Sequence, residues 1–385
     1  MQRGAGLVPI RVYPDWWKTR MVAPVSADIP RALPRGILMH MTRPLVLVTG
    51  GAGFLGAQLC RFLLAQGFAV RSLDIAAPEA GHPSIEYIRG DIRDAVVVAK
   101  AMRDVGYVVH AASAAVHQTH DAIYSTGVMG TWNVLQAAAR NLASRVVFIS
   151  SSAVYGAQEH RLMHETDELH GCGPYAESKI EAEYLCQGAR LGGLCVSILR
   201  CADIIGPGRS GIFEPLFNLA RRAHHFPILG SGRHPCQVLD VEDVCDAIYL
   251  CLVMRAGLVN DTFNLASRDF ATERESFQAV LDSAGHGKRV ISLPDVPATA
   301  LLALLEFLGL GSLCPWRRHP VGADSCLSVR HIDSKLDFRP RYSARAALVR
   351  QYTGLAAQYP RQLQQAPLVT FGPPRSYSTD TRVSQ

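Results

Sequence analysis

Leu45 to Val48 is continuously apolar, runs straight into the glycines Gly50, Gly51, Gly53 and Gly56, and is followed by Leu55, Leu59 and Leu63 at helical spacing. An unbroken apolar run suits a parallel strand covered on both faces, and the four-residue recurrence suits a helix lying on it. Gly67 stands where that helix needs a left-handed terminal residue. The pattern then repeats, with Phe68 to Leu73, Ile85 to Ile88, Tyr107 to Ala112, Arg145 to Ile149 and Cys195 to Arg200 as further strands. Between them, Asp94 is placed to cap a helix through Met102, and Val128 to Ala139 has helical periodicity. Alternation of this kind predicts an α/β fold built on a doubly wound parallel sheet.

Beyond residue 201 the order becomes mixed. Ile212 to Ala223, Thr272 to Ser283 and Ala298 to Leu310 read as helices of a smaller C-terminal lobe, whereas Val241 to Leu252 and Thr262 to Leu265 return to the large sheet. The expected organisation is therefore a cofactor domain over 41–201 with 241–266 returning to it, and an interleaved substrate lobe from 202–240 and 267–360. Residues 1–40 lack an apolar period and read as a disordered extension or an overcalled start, and 361–385 as a polar, disordered tail. The Ala298 to Leu310 segment is shorter than a membrane span and contains Glu306, so a buried or dimer-face helix is expected rather than membrane contact.

Composition narrows the function classes. The net charge of +6 over 385 residues is carried by scattered Lys and Arg, which excludes a nucleic-acid footprint. Ten cysteines at irregular spacing, without a C-x-x-C pair, point to reduced thiols in the cytoplasm rather than disulfides or a zinc site. His117 with His120, and His224 with His225, lack a third ligand at metal spacing, so no metal is expected.

The glycines parse as G-x-x-G-x-x-G (Gly50, Gly53, Gly56) or as G-x-G-x-x-G (Gly51, Gly53, Gly56). Either way they offer a tight turn, close backbone approach and a helix N-terminus for a pyrophosphate. Asp74 closes the second strand at the separation expected of a carboxylate that binds ribose hydroxyls. It would repel a 2′-phosphate, so the cofactor is read as NAD rather than NADP. Further on, Tyr175 and Lys179 are one helical turn apart, which brings an ammonium near a phenol and favours its ionised form. With a serine from Ser150-Ser151-Ser152 at a strand end, this is alcohol-to-ketone chemistry.

In that order the chain carries TGGAGFLG, GDIRD, HAAS (His110 to Ser113), GTWNVLQAA, SSSAVYG, YAESK, LRCADIIGPG and VEDV. It thereby resembles the extended short-chain dehydrogenase/reductases, the NAD-dependent epimerase/dehydratase family, over about Leu45 to Tyr352. The resemblance implies a Rossmann sheet in which Gly50, Gly53 and Gly56 hold the pyrophosphate and Phe54 and Leu55 supply backbone donors. It further implies that Asp74 binds ribose, Asp91 and Ile92 meet the adenine edge, and Ala111 and Ala112 line the cofactor trough. Ser151, Tyr175 and Lys179 would be catalytic, with Lys179 also on the nicotinamide ribose and Ser152 the near alternative to Ser151. A small-molecule substrate and a homodimer are implied as well.

Departures from the family pattern bear on the substrate. Gly127 stands where an asparagine is frequent, and Ser152 and Ala153 stand where sugar 4,6-dehydratases place an acid pair, which disfavours that reaction. Cys236 replaces an arginine that pairs with a sugar diphosphate, and Asp203 replaces an asparagine. Arg233, Arg317 or Arg318 would then have to supply the cation. The resemblance points first to a nucleotide-sugar epimerase. The alternatives are a dehydrogenase of a hydrophobic secondary alcohol such as a 3β-hydroxysteroid, using NAD or NADP, and a catalytically silent NAD-binding regulator.

Overall fold

Val46, Leu47 and Val48 are fully buried because β1 (Arg43–Thr49) lies inside a seven-stranded sheet with helices on both faces. The computed structural model describes residues 43–116, 118–156, 162–209, 211–293 and 326–357. The expectations for residues 1–40, His117, the Ala298 to Leu310 helix, Arg317, Arg318 and the tail from 361 lie outside the described residues.

The sheet is formed by β1, β2 (Phe68–Asp74), β3 (Ile85–Arg89), β4 (Val105–His110), β5 (Arg145–Ser151), β7 (Val196–Cys201) and β11 (Thr262–Leu265). Its order is β11-β7-β5-β4-β1-β2-β3, every neighbouring pair parallel. The chain runs outward from β1 to β3 and then crosses to β4 on the other side. That reversal opens a crevice beyond the C-terminal ends of β1 and β4, where α/β sheets take their ligands.

One face of the sheet is covered by α1 (Phe54–Ala65) and α6 (Val241–Val253), whose Leu59, Leu63, Val244 and Ile248 pack on Val46, Val48 and Val147. The other is covered by α2 (Ala95–Ala101), α3 (Thr131–Arg140) and α4 (Pro174–Leu191), with Val98, Val134 and Leu185 on Leu47, Val108 and Phe148. Full burial of each such side chain contributes about 1.5–3 kcal/mol. Asp94 caps α2 by accepting from the Val96 and Val97 amides, as its position predicts. Gly67 has φ +82°, the left-handed residue expected after α1.

Several boundaries differ from the pattern-based reading. The strand expected over Tyr107 to Ala112 spans Val105–His110, so Ala111 and Ala112 belong to the loop above it. Of the helical stretch Val128 to Ala139, the first three residues belong to a π-helical turn, Ser125–Gly130, and the α-helix begins at Thr131. The hydrogen bonds there span five residues instead of four, which apolar periodicity cannot register.

A third core joins α5 (Glu214–Arg221), α7 (Glu273–Ser283) and α9 (Ala344–Ala356) with the strand pair β9 (Phe226–Leu229) and β12 (Val290–Leu293). Smaller parallel pairs are β6 (Leu162–Met163) with β13 (Cys326–Leu327), and β8 (Asp203–Ile205) with β10 (Val238–Asp240). Not all of 267–360 packs in this lobe. Ile332 and Leu336 of α8 (Arg330–Leu336), and Phe338 after it, are buried in the core of the large sheet. Among the described residues no helix is long and apolar enough to cross a membrane.

Candidate active site

The turn after β1 leaves no room for side chains. At Gly50, with φ +75°, a Cβ would lie 2.7 Å from the Ala112 nitrogen, and at Gly56 it would lie 2.0 Å from the Gly50 carbonyl oxygen. At Gly51 it would meet Ser72 Oγ at 2.1 Å, so both parses of the motif describe glycines that packing requires. Gly53 begins α1 with no side-chain cap and no acid in the first turn, which leaves the amides of Phe54 and Leu55 for an anion. Gly56→Ala is therefore expected to weaken NADH binding at least about tenfold, although alanine is the better helix former by about 1 kcal/mol. A fluorescence titration with NADH checks this, and unchanged affinity would remove the turn from the cofactor site.

Asp74 sits at the end of β2 beside this turn. Its carboxylate accepts from the Ala52 amide at 3.0 Å and the Ala76 amide at 2.9 Å, so it is fixed over the glycines. Ala111 and Ala112 form the opposite wall, tied to β1 through Thr49: the Ala111 amide donates to its carbonyl and the Ala112 amide to its Oγ1. Asp91 is committed to Arg93, which donates to it through Nε at 2.9 Å and Nη2 at 2.6 Å and holds its carboxyl below the usual range. The Ile92 side chain belongs to the core under Gly130, and its carbonyl accepts from Asn133.

Across the crevice, Ser151 ends β5 and Tyr175 opens α4. The Ser151 hydroxyl stands beside the Tyr175 phenol and accepts from the Ala153 amide at 3.2 Å. Lys179, one turn along, is buried and donates to the Ile149 carbonyl at 2.8 Å, with Nζ 5.9 Å from the Tyr175 ring centroid. Burial lowers the lysine to about 8. Here the electrostatic expectation needs correction. Burial raises the Tyr175 phenol above its ordinary value, opposed first by the neighbouring Ser151 hydroxyl, and the cation whose charge acts on it is Arg209, not Lys179.

Residues 46–266 match the NAD dependent epimerase/dehydratase family. The chain belongs to that family. An uncharacterized protein of Sinorhizobium fredii, y4nG, is 30% identical over 308 residues, covering 80% of this chain and 77% of its own. A dTDP-glucose 4,6-dehydratase of Streptomyces niveus is 30% identical over 279 residues, 66% of this chain and 81% of its own. A 3 beta-hydroxysteroid dehydrogenase/Delta 5→4-isomerase of Mycobacterium tuberculosis is 33% identical over 234 residues, 56% of this chain and 61% of its own. Among solved structures, the UDP-glucose 4-epimerase of Thermotoga maritima shares the fold with a TM-score of 0.67 at 21% identity, covering 82% of this chain and 99% of that one. The chain is thus an NAD-dependent enzyme of the epimerase/dehydratase family, in agreement with the cofactor implied by the glycine turn and Asp74.

For this family member, two groups that pattern reading passed over support the tyrosine-lysine helix. Glu183, one further turn along α4, is fully buried; it accepts from Ser150 Oγ at 2.5 Å and from Arg200 Nη2 at 2.7 Å. Arg200 also donates through Nη1 to the Tyr155 hydroxyl at 2.8 Å, which in turn donates to Asn264 Oδ1 at 2.7 Å. This chain bolts α4 to β5, β7 and β11. A lone arginine within the apolar run Val196–Cys201 was the available signal, together with a glutamate on the stripe shared by Tyr175 and Lys179.

The substrate candidates are less concentrated. Ser152 opens the short 3₁₀ turn Ser152–Tyr155, whose amide at Ala153 Ser151 caps. Asp203 lies on β8 with its charge acting on Tyr175, whereas Arg233 is exposed in the loop between β9 and β10. Cys236 is buried; its thiol is pushed up to about 12 by burial and by Glu273, with smaller contributions from Asp203 and Asp269.

Proposed function

We propose that the chain interconverts a secondary alcohol and a ketone on a small-molecule substrate through Ser151, Tyr175 and Lys179. The observation that carries this reading is the placement of Ser151 at the carboxyl end of β5 beside the Tyr175 phenol, with Lys179 buried one turn along α4. A substrate hydroxyl placed between them would be held by Ser151 while Tyr175 takes or returns its proton. Lys179 anchors the helix to β5 and is placed to hold the nicotinamide ribose. NAD, when bound, supplies the hydride acceptor and donor. Phe54 and Leu55 amides, with Gly50, Gly53 and Gly56, would hold its pyrophosphate, Asp74 its adenosine ribose, Asp91 and Ile92 the adenine edge, and Ala111 and Ala112 the trough wall.

The first substrate reading is epimerisation of a nucleotide sugar, in a cytoplasmic homodimer, and it rests on the family resemblance. A second reading, oxidation of a hydrophobic secondary alcohol such as a 3β-hydroxysteroid, is favoured by a specific observation. Where an arginine would meet a diphosphate stands the buried Cys236, whose thiol feels the negative charges of Glu273, Asp203 and Asp269. Like charges at close range repel. Incubation with a panel of nucleotide sugars and 3β-hydroxysteroids separates the two readings. An epimerase is expected to convert the sugar with no net NADH, and a dehydrogenase to accumulate NADH with turnover. Conversion of neither class would set both readings aside.

A further inference from the structure

A row of side chains runs across the sheet on the face covered by α3 and α4. Thr49 of β1, His110 of β4 and Phe148 of β5 are register partners in successive strands. Thr49 Oγ1 is 2.7 Å from His110 Nδ1, and His110 Nε2 is 2.9 Å from Thr131 Oγ1. The Thr131 hydroxyl donates its single proton to the Gly127 carbonyl at 2.6 Å, so it accepts from His110. The proton of the imidazole is therefore on Nε2, and Nδ1 accepts from Thr49, whose oxygen accepts in turn from the Ala112 amide. The ring is 1% exposed, and both nitrogens are used. Burial and the nearby Lys179 charge press its pKa down to about 3, which keeps it neutral.

Both ends of this chain of bonds reach the site. At one end is Ala112, against which Gly50 packs. At the other is the π-helical turn, where Gly127 lies so close to α4 that a Cβ would fall 2.9 Å from Ser178 Oγ. Ser178 donates to the Tyr175 carbonyl at 2.8 Å. Phe148 closes the row: the His110 ring lies 5.6 Å from its ring, and Lys179 Nζ lies 4.9 Å from its centroid.

We propose that His110, held as its Nε2–H tautomer, is a positioning residue that couples the wall of the cofactor trough to the helix bearing Tyr175 and Lys179. It rests on the cofactor placement proposed above and touches no reacting atom. The π-helical turn at Gly127 is then set from within the sheet, through Thr131, rather than by a side chain at 127. Because the two hydrogen bonds of the ring serve different ends of the chain, they are separable by substitution.

The experiment is a fluorescence titration of the full chain with NADH. His110→Phe, which removes both bonds, is expected to weaken NADH binding about tenfold, or 1.4 kcal/mol. Thr131→Val, distant from the cofactor, is expected to weaken it about threefold, and His110→Gln, which keeps a donor toward Thr131, to recover most of the loss. Wild-type affinity in both His110→Phe and Thr131→Val, with only a lower melting temperature, would show a merely structural residue and overturn the proposal. Should His110→Phe not fold, Thr49→Val and Thr131→Val carry the same comparison. Failure of the wild type to bind NADH would overturn the cofactor placement instead. Independently, ¹⁵N-edited NMR of the imidazole is expected to show the proton on Nε2 throughout about pH 5.5 to 8. A ring that is protonated on Nδ1, or that titrates in that range, would overturn the coupling whatever NADH does.

Discussion

Tyr175→Phe is expected to cut turnover by about 10²–10⁴-fold while NADH affinity stays within about twofold, because in the proposed reaction the phenolic hydroxyl exchanges the substrate proton and is not part of the cofactor cradle. The ring volume is kept, so α4 remains packed. Only the phenolic hydroxyl beside Ser151 is lost. In the oxidation direction the phenol has to give up its own proton, and burial holds it above its ordinary value. Turnover is therefore expected to climb into the alkaline range, and that climb should vanish in the variant. Rates on the substrate found by the panel, measured across pH beside an NADH titration, provide the check. Retention of wild-type turnover would take Tyr175 out of the mechanism, and loss of NADH binding would mean that the residue serves the cofactor site.

Glu183→Ala is expected to cost about 3–5 kcal/mol of stability, since it leaves the Arg200 guanidinium buried without its carboxylate. Glu183 is 0% and Arg200 3% exposed, so water cannot replace the partner. Ser150 Oγ loses its acceptor in the same step. Denaturant unfolding measures the loss. The paired Glu183→Met, Arg200→Met variant is expected to regain at least half of it, because two apolar side chains of similar volume need no partner. A single variant as stable as the wild type would mean that the ion pair holds nothing. The pair also steers the site, since it fixes α4 from behind at the turn following Lys179.

The two halves of the site were legible to different degrees. The glycine turn, Asp74 and Tyr175 with Lys179 are short-range features, spaced by one turn or by one strand-helix unit, and sequence spacing reports such distances well. The consequence drawn from Tyr175 and Lys179 was less secure. Helical spacing places the lysine near the phenol, but the fold turns its ammonium to the Ile149 carbonyl and buries both groups, so the phenol rises. Charge balance in a protein is set by desolvation as much as by neighbours, and burial is not a local property.

The row Thr49–His110–Phe148 illustrates the same limit. Its members are 61 and 38 residues apart, and each alone reads as an ordinary strand residue. Parallel pairing alone brings them into line. Likewise Arg200 meets Glu183 only because β7 lies next to β5 beneath α4.

By itself the sequence determined the alternating strands and helices, the glycine turn, the acid at the end of β2 and the family, because each is written in residues close along the chain. Tertiary structure alone decided which titratable groups are stripped of water, which ring nitrogen of His110 carries its proton, and how α8 returns to the large sheet. Those depend on contacts between distant segments, where strand order and burial, rather than spacing, set the energies.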